Sequence, residues 1–163
     1  SFGAPELSRI ARANQDMAEW QADIRSDCHD LPAIIAAARS AKAQRPGLAL
    51  VVVDYLQLVR GPSGDSRERE VAEVSRTLRM MALELDCVVV ALSQLNDDGK
   101  LRESRAIGQD ATAVWTIAKK EEDQDTTKRT LHIPIQRNGE SGVSCSLEFM
   151  GQFSHFGPWR ESE

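Results

Sequence analysis

From Leu48 to Val53 six apolar residues follow one another, and the run stops at a carboxylate, Asp54, ahead of Tyr55-Leu56-Gln57-Leu58. A run with no polar face cannot lie half in water. Its length suits a strand covered on both sides, as in a parallel sheet. The carboxylate then emerges at the carboxyl edge of that sheet, where open α/β folds place their ligands. An acid at such an edge can hold the magnesium of a nucleotide, although a buried strand can also end in Asp without any chemical role.

A second apolar run, Cys87 to Leu92, is followed by Ser93-Gln94. Between the two runs Val71, Val74, Leu78, Met81 and Leu85 recur in steps of three and four. That spacing predicts an amphipathic helix from about Ser66 to Leu85, with Asp65 and Glu68 in the arrangement of a capping box. A strand, a helix and a strand joined in this way form a right-handed crossover with parallel strands. Asp54 and Gln94 then become neighbours at one sheet edge. A neutral amide there can distinguish a γ-phosphate from its absence or orient a water. It can equally do no more than satisfy backbone groups at the strand end.

The remaining chain divides around this unit. Leu7, Ile10, Met17 and Trp20 predict a helix over residues 5–20, followed by a short strand over residues 22–28. Asp30 caps a helix from Leu31 to Gln44, with Pro32 in its first turn and Pro46-Gly47 beyond its end. Residues 60–66 read as a loop, and residues 96–109 as a polar stretch without a period. Ala113 to Ala118 reads as a buried strand, and residues 119–128 as a charged loop. Leu131, Ile133 and Ile135 alternate with other residues, as do Cys145, Leu147 and Phe149. The two segments, linked through residues 137–142, predict an antiparallel hairpin, and Pro134 places part of it at an edge or a bulge. Trp115, Phe149, Cys87 and Cys145 fit core positions. Arg137 lies in the hairpin turn, where a rigidly displayed guanidinium could neutralise a phosphate on a neighbouring subunit or simply be solvated.

Composition bounds what such a chain can do. With 163 residues, 41% hydrophobic and 28% charged, it is long enough for one domain with a real core. A net charge of −5 confines any nucleic-acid contact to a local patch. Leu101-Arg102-Glu103-Ser104-Arg105 places two cations close together in a loop, as a grip on a phosphate backbone would need, but acidic neighbours offset their charge and the segment alone reads as a solvated loop. Three widely spaced cysteines fit a reducing cytoplasm rather than a disulfide framework. No apolar run approaches the ~20 residues of a membrane span, and no signal peptide opens the chain. Cys28-His29, His132 and His155 do not have zinc-ligand spacing. The phosphate-cradling pattern G-x-x-x-x-G-K-[ST] does not occur, since the single Gly-Lys pair, Gly99-Lys100, is followed by Leu101. Residues 1–163 therefore read as one partial domain of a longer protein.

Several short motifs in one order carry a resemblance. Asp54-Tyr55-Leu56-Gln57-Leu58, Arg69-Glu70-Val71-Ala72-Glu73-Val74-Ser75-Arg76-Thr77-Leu78 and Ala91-Leu92-Ser93-Gln94-Leu95 resemble the bacterial replicative DNA helicases of the DnaB type. Leu101-Arg102-Glu103-Ser104, Gln109-Asp110 and Gln136-Arg137-Asn138-Gly139 continue the likeness, which covers about Gly47 to Phe156. The resemblance implies an α/β, RecA-like ATPase domain with a mostly parallel sheet, flanking helices and a C-terminal antiparallel hairpin. It implies a hexameric ring with ATP and Mg2+ between subunits and single-stranded DNA in the central channel, served by primase or a helicase loader. Asp54 then matches the Walker B acid on magnesium, and Gln94 the residue linking phosphate state to the DNA loop. Arg137 matches the arginine finger, with Gln136 beside it at the nucleotide, and Arg102, Glu103 and Arg105 match the DNA-contacting loop.

Four departures bear on that likeness. The P-loop and the family's catalytic glutamate fall upstream of this region. Ile135 replaces a lysine, Arg105 replaces a glycine, and the loop between Gln94 and Leu101 is about a dozen residues short by comparison with the family pattern. These departures leave open a non-catalytic interaction module or a degenerate ATPase. A RecA-type recombinase or loader ATPase shares the strand-Asp pattern but not the flanking motifs.

Overall fold

The structure, a computed structural model, describes residues 3–61, 66–94, 105–119 and 125–160. Helix α1 (Ala4–Ala18) starts with Pro5 in its first turn, and Glu6 Oε2 accepts the Gly3 N–H at 2.6 Å. The predicted helical spacing is present, but none of the helix's residues is buried, and Leu7, Met17 and the following Trp20 are more than half exposed. The strand expected over residues 22–28 does not form. No described strand pairs with its backbone, and Ile24 stands 91% exposed. The chain is next fixed at Asp30, which bridges to Arg60 in a parallel sense.

Helix α2 (Leu31–Gln44) forms as its sequence predicts, with Asp30 Oδ1 accepting the Ala33 N–H at 2.8 Å. Strand β1 (Leu50–Val53), helix α3 (Arg67–Leu85) and strand β2 (Val88–Ala91) make the expected crossover unit, and the strands run parallel in the register Leu50↔Val88 to Val53↔Ala91. Ser66 caps α3 by accepting the Arg69 N–H, while Asp65, expected in that role, lies outside the described residues. Val71, Val74, Leu78, Met81 and Leu85 are all buried, and Leu31, Ala38, Val53, Leu56 and Val59 close around them. Across the surface Arg39 holds Glu84 through two hydrogen bonds of 2.7 and 2.8 Å, tying α2 to α3.

The two strands are not covered on both sides. Val51, Val53 and Val89 face the α3 core, whereas Leu50, Val52, Val88 and Val90 are between 45% and 61% exposed. Parallel strands ordinarily have helices on both faces. Among the described residues helices cover only one.

Helix α4 (Arg105–Asp110) arises within the polar stretch that showed no period. It is held by Ile107, which enters the core, and by Arg79 of α3, whose guanidinium donates to the Asp110 carbonyl at 2.9 Å. The expected hairpin belongs to a larger antiparallel sheet, β3 (Ala113–Ala118), β4 (Lys128–Gln136), β5 (Val143–Met150) and β6 (His155–Pro158), in that spatial order. The register changes from Val114↔Ile135 to Thr116↔His132, so one extra β4 residue is accommodated beside Pro134. Phe149 stacks on Phe156 with centroids 4.8 Å apart and carries the Arg129 guanidinium above its ring. Trp115 and Cys145 are not core residues. Trp115 is 66% exposed and Cys145 is exposed, on a sheet face that no described element covers. Among the described residues no helix is long and apolar enough to cross a membrane.

Candidate functional site

The parallel ladder sets the geometry of the carboxyl edge. Beyond the paired strands, Leu92 N–H donates to the Val53 carbonyl and Leu56 N–H donates to the Leu92 carbonyl, both at 2.9 Å. Asp54 therefore lies level with Leu92, and Gln94 emerges two residues further along the adjacent strand. The two predicted residues share one end of one sheet. Both are exposed. Among the described residues the Asp54 carboxylate and the Gln94 side-chain amide form no hydrogen bond or ion pair. Magnesium typically keeps several waters and takes one or two carboxylates together with phosphate oxygens. An exposed carboxylate with no competing partner among the described residues fits that requirement.

After Leu56 the chain makes a short 3-10 turn, Leu56–Leu58, anchored by Leu56, which is 2% exposed. Gln57 of this turn reaches back to the second strand. Its Nε2 donates to Ser93 Oγ at 2.9 Å, and its Oε1 accepts the Gln94 N–H at 3.4 Å. The carbonyl of Gln57 accepts from Arg67, and Arg67 pairs with Glu70 on α3. Glu70 also accepts the Gly61 N–H at 2.9 Å. Gly61 lies so close to α3 that a Cβ there would meet Glu70 Cγ at 2.8 Å and Val74 Cγ2 at 3.2 Å, so the approach depends on glycine. Hydrophobic periodicity carries no information about this network. The sole sequence signal was a polar Gln three residues past the acid.

The Gly61 N–H, and after it the Arg67 guanidinium, hold the Glu70 carboxyl below the usual glutamate range. A carboxylate held in this way adds stability above its ordinary pKa, and that contribution disappears as pH falls through the lowered value. Glu70→Gln should therefore melt below the unsubstituted chain at neutral pH, and the gap should close as pH is lowered from about 5 toward 3. Thermal melts across that range provide the check, and a gap independent of pH would contradict the assignment.

Arg137 and Gln136 lie on the other sheet. Gln136 ends β4, its N–H donates to Ser141 Oγ at 2.8 Å, and the Ser141 hydroxyl returns a bond to the Gln136 carbonyl at 3.2 Å. The turn is thereby closed from residue 136 to residue 141. Arg137 N–H donates to the Thr112 carbonyl at 2.9 Å, and its guanidinium donates to the Gln109 carbonyl at the end of α4. Among the described residues no hydrogen bond or ion pair joins Arg137 or Gln136 to Asp54 or Gln94. Arg102 and Glu103 lie outside the described residues, and Arg105 is described only as the first residue of α4.

Comparisons with known proteins bear on the family and the fold. The family model of the DnaB-like helicase C terminal domain matches residues 2–158. A replicative DNA helicase DnaB from Pasteurella multocida (strain Pm70) is 41% identical over 135 residues, covering 73% of this chain and 29% of its own length. The chain thus spans under a third of that curated relative. A DnaB-like replicative helicase, solved in a study of its interactions with primase, superposes with a TM-score of 0.87 at 26% identity, over 98% of this chain and 42% of that one. A second solved structure, an ATPase domain, gives the same TM-score and identity over 98% of this chain and 62% of its own. The α/β, RecA-like architecture expected from the sequence is found, with four of the six described strands antiparallel rather than a mostly parallel sheet. With its motifs in family order and its fold shared along nearly its whole length, the chain belongs to the DnaB-like helicase C-terminal domain family.

Proposed function

We propose that this chain is the C-terminal part of an ATP-dependent replicative DNA helicase, which couples ATP hydrolysis at subunit interfaces to translocation on single-stranded DNA and to duplex unwinding. The observation that carries this reading is the emergence of Asp54 and Gln94 from adjacent, paired parallel strands at one sheet edge. Asp54 would hold Mg2+, which when bound neutralises phosphate charge. Gln94 faces the same edge and passes the state of the γ-phosphate to the segment that follows it. That segment, with Arg102, Glu103 and Arg105, meets the DNA backbone.

Arg137, with Gln136 beside it, acts on the nucleotide of the neighbouring subunit. Its location on a separate sheet from Asp54 supports action in trans. The reading entails a homo-hexamer in the full-length parent, an upstream P-loop, work in the cytoplasm and contact with primase or a helicase loader. The relative solved in a study of its interactions with primase supports the last of these. A non-catalytic helicase-derived module or degenerate ATPase is the second reading. It is favoured by the lack of a G-x-x-x-x-G-K-[ST] pattern in this sequence and by Ile135.

The deciding experiment uses the full-length parent with a forked DNA duplex. The motor hydrolyses ATP only with Mg2+, is stimulated by single-stranded DNA, and separates the strands. A parent that binds its partners but neither hydrolyses ATP nor unwinds DNA would establish the second reading instead.

A further inference from the structure

We infer that Gln57 is a positioning residue that locks the main chain of Gln94 to the strand end carrying Asp54, so that the two ligand-facing groups move as one unit. The inference rests on the reading of Asp54 and Gln94 proposed above and adds a residue to which the comparisons assign no role.

Both ends of the Gln57 amide are committed to the second strand. Nε2 donates to the Ser93 hydroxyl at 2.9 Å, and Oε1 accepts the Gln94 N–H at 3.4 Å. The orientation is dictated by chemistry. A backbone N–H can only donate, so the reversed amide would set two donors against each other at Gln94, whereas a hydroxyl can serve either orientation. Ser93 Oγ lies 3.4 Å from the Gln94 carbonyl as its donor. Both main-chain polar groups of Gln94 are thus held by side chains, beyond the point where the sheet ladder ends.

The anchor itself is tied into the core. Leu56 is 2% exposed and its N–H is bound to the Leu92 carbonyl. The Gln57 carbonyl is held by Arg67, and Arg67 by Glu70 on α3. A displacement at Gln94 is therefore felt at the turn after Asp54 and at the first turns of α3. Among the described residues the Gln94 side chain carries no hydrogen bond, while its backbone is linked to the turn that follows Asp54.

The test measures kcat and KM for ATP, with and without single-stranded DNA, and thermal midpoints, in the full-length parent carrying Gln57→Met, Ser93→Ala or both. Losing one side-chain link of this kind should lower the DNA-stimulated kcat of Gln57→Met about tenfold, with KM for ATP within about twofold of the parent's. Ser93→Ala should lose less, and the double variant should be no slower than Gln57→Met, because the two residues act as one unit. Should Gln57→Met fail to fold, Ser93→Ala carries the same kcat-against-KM test.

An unchanged DNA-stimulated kcat would overturn the inference. So would an additive loss, equal with and without DNA, that follows the fall in thermal midpoint, since that describes ordinary satisfaction of a strand end. Asp54→Asn keeps the two failures distinct. If Asp54→Asn retains full turnover, the site reading fails and takes this inference with it. If Asp54→Asn is inactive while Gln57→Met is unaffected, only the role of Gln57 is lost.

Discussion

In the full-length parent, Arg137→Ala is expected to lower ATP turnover by on the order of a thousandfold or more, the scale of a guanidinium that neutralises charge in a phosphoryl-transfer transition state. ATP binding by the substituted subunit should survive under the proposed arrangement, in which the guanidinium acts on a neighbour's nucleotide. Stability should change little. Among the described residues the Arg137 side chain is bonded to the carbonyl of Gln109, an exposed residue whose carbonyl water can satisfy once the side chain is removed. The hydrogen bond from Arg137 N–H to Thr112 belongs to the backbone and is retained in alanine. Arg137→Lys keeps the charge but loses the planar fork, and should remain far below the parent.

The check pairs steady-state turnover with nucleotide titration and a thermal melt. Unchanged turnover would remove the finger assignment, and a parallel loss of nucleotide binding would place Arg137 in its own subunit's site. Through Gln109 the Arg137 guanidinium also rests on the helix that directly follows the proposed DNA loop, and a guanidinium has further N–H donors with which to meet a phosphate.

The strand–helix–strand unit was legible because burial there follows a simple period. All five apolar positions read from α3 are buried, and the two runs pair in parallel as their lack of a polar face implies. Asp30 was legible as a cap for the same kind of local reason. What failed was any inference about which faces are covered. Leu50, Val52, Trp115 and Cys145 look like core residues in sequence, yet covering a sheet face depends on elements distant in sequence. The strand expected over residues 22–28 failed in the same way, since a strand requires a neighbour and the described chain offers none.

Helix α4 was missed because a six-residue helix anchored by one buried isoleucine is too short to show a period. The placement of Asp54 and Gln94 at one sheet edge was legible because strand ends are readable from where apolar runs stop. The bonds of Gln57 were not, because they depend on the turn after Asp54 folding back onto the adjacent strand.

Asp54→Asn is the second substitution with a large expected effect, and it isolates charge from shape. The amide is nearly isosteric with the carboxylate, and Asp54 is exposed with no partner among the described residues, so the fold should tolerate the change within about 0.5 kcal/mol. Its chemistry should not tolerate it. A carboxylate at this edge contributes a full negative charge toward a divalent cation, whereas an amide oxygen offers only a dipole. Metal assistance to phosphoryl transfer is worth several kcal/mol, so turnover in the parent should fall by roughly a hundredfold or more.

The Mg2+ concentration needed for half-maximal activity should also rise, since the carboxylate that would help hold the cation is lost. A Mg2+ titration of the Asn variant separates this outcome from simple misfolding, which would lower activity at every concentration without moving the midpoint. An Asn variant with the parent's turnover and the parent's Mg2+ midpoint would show that the carboxylate at the end of the first apolar run has no metal to hold. The shared edge of Asp54 and Gln94 would then be only a feature of the fold.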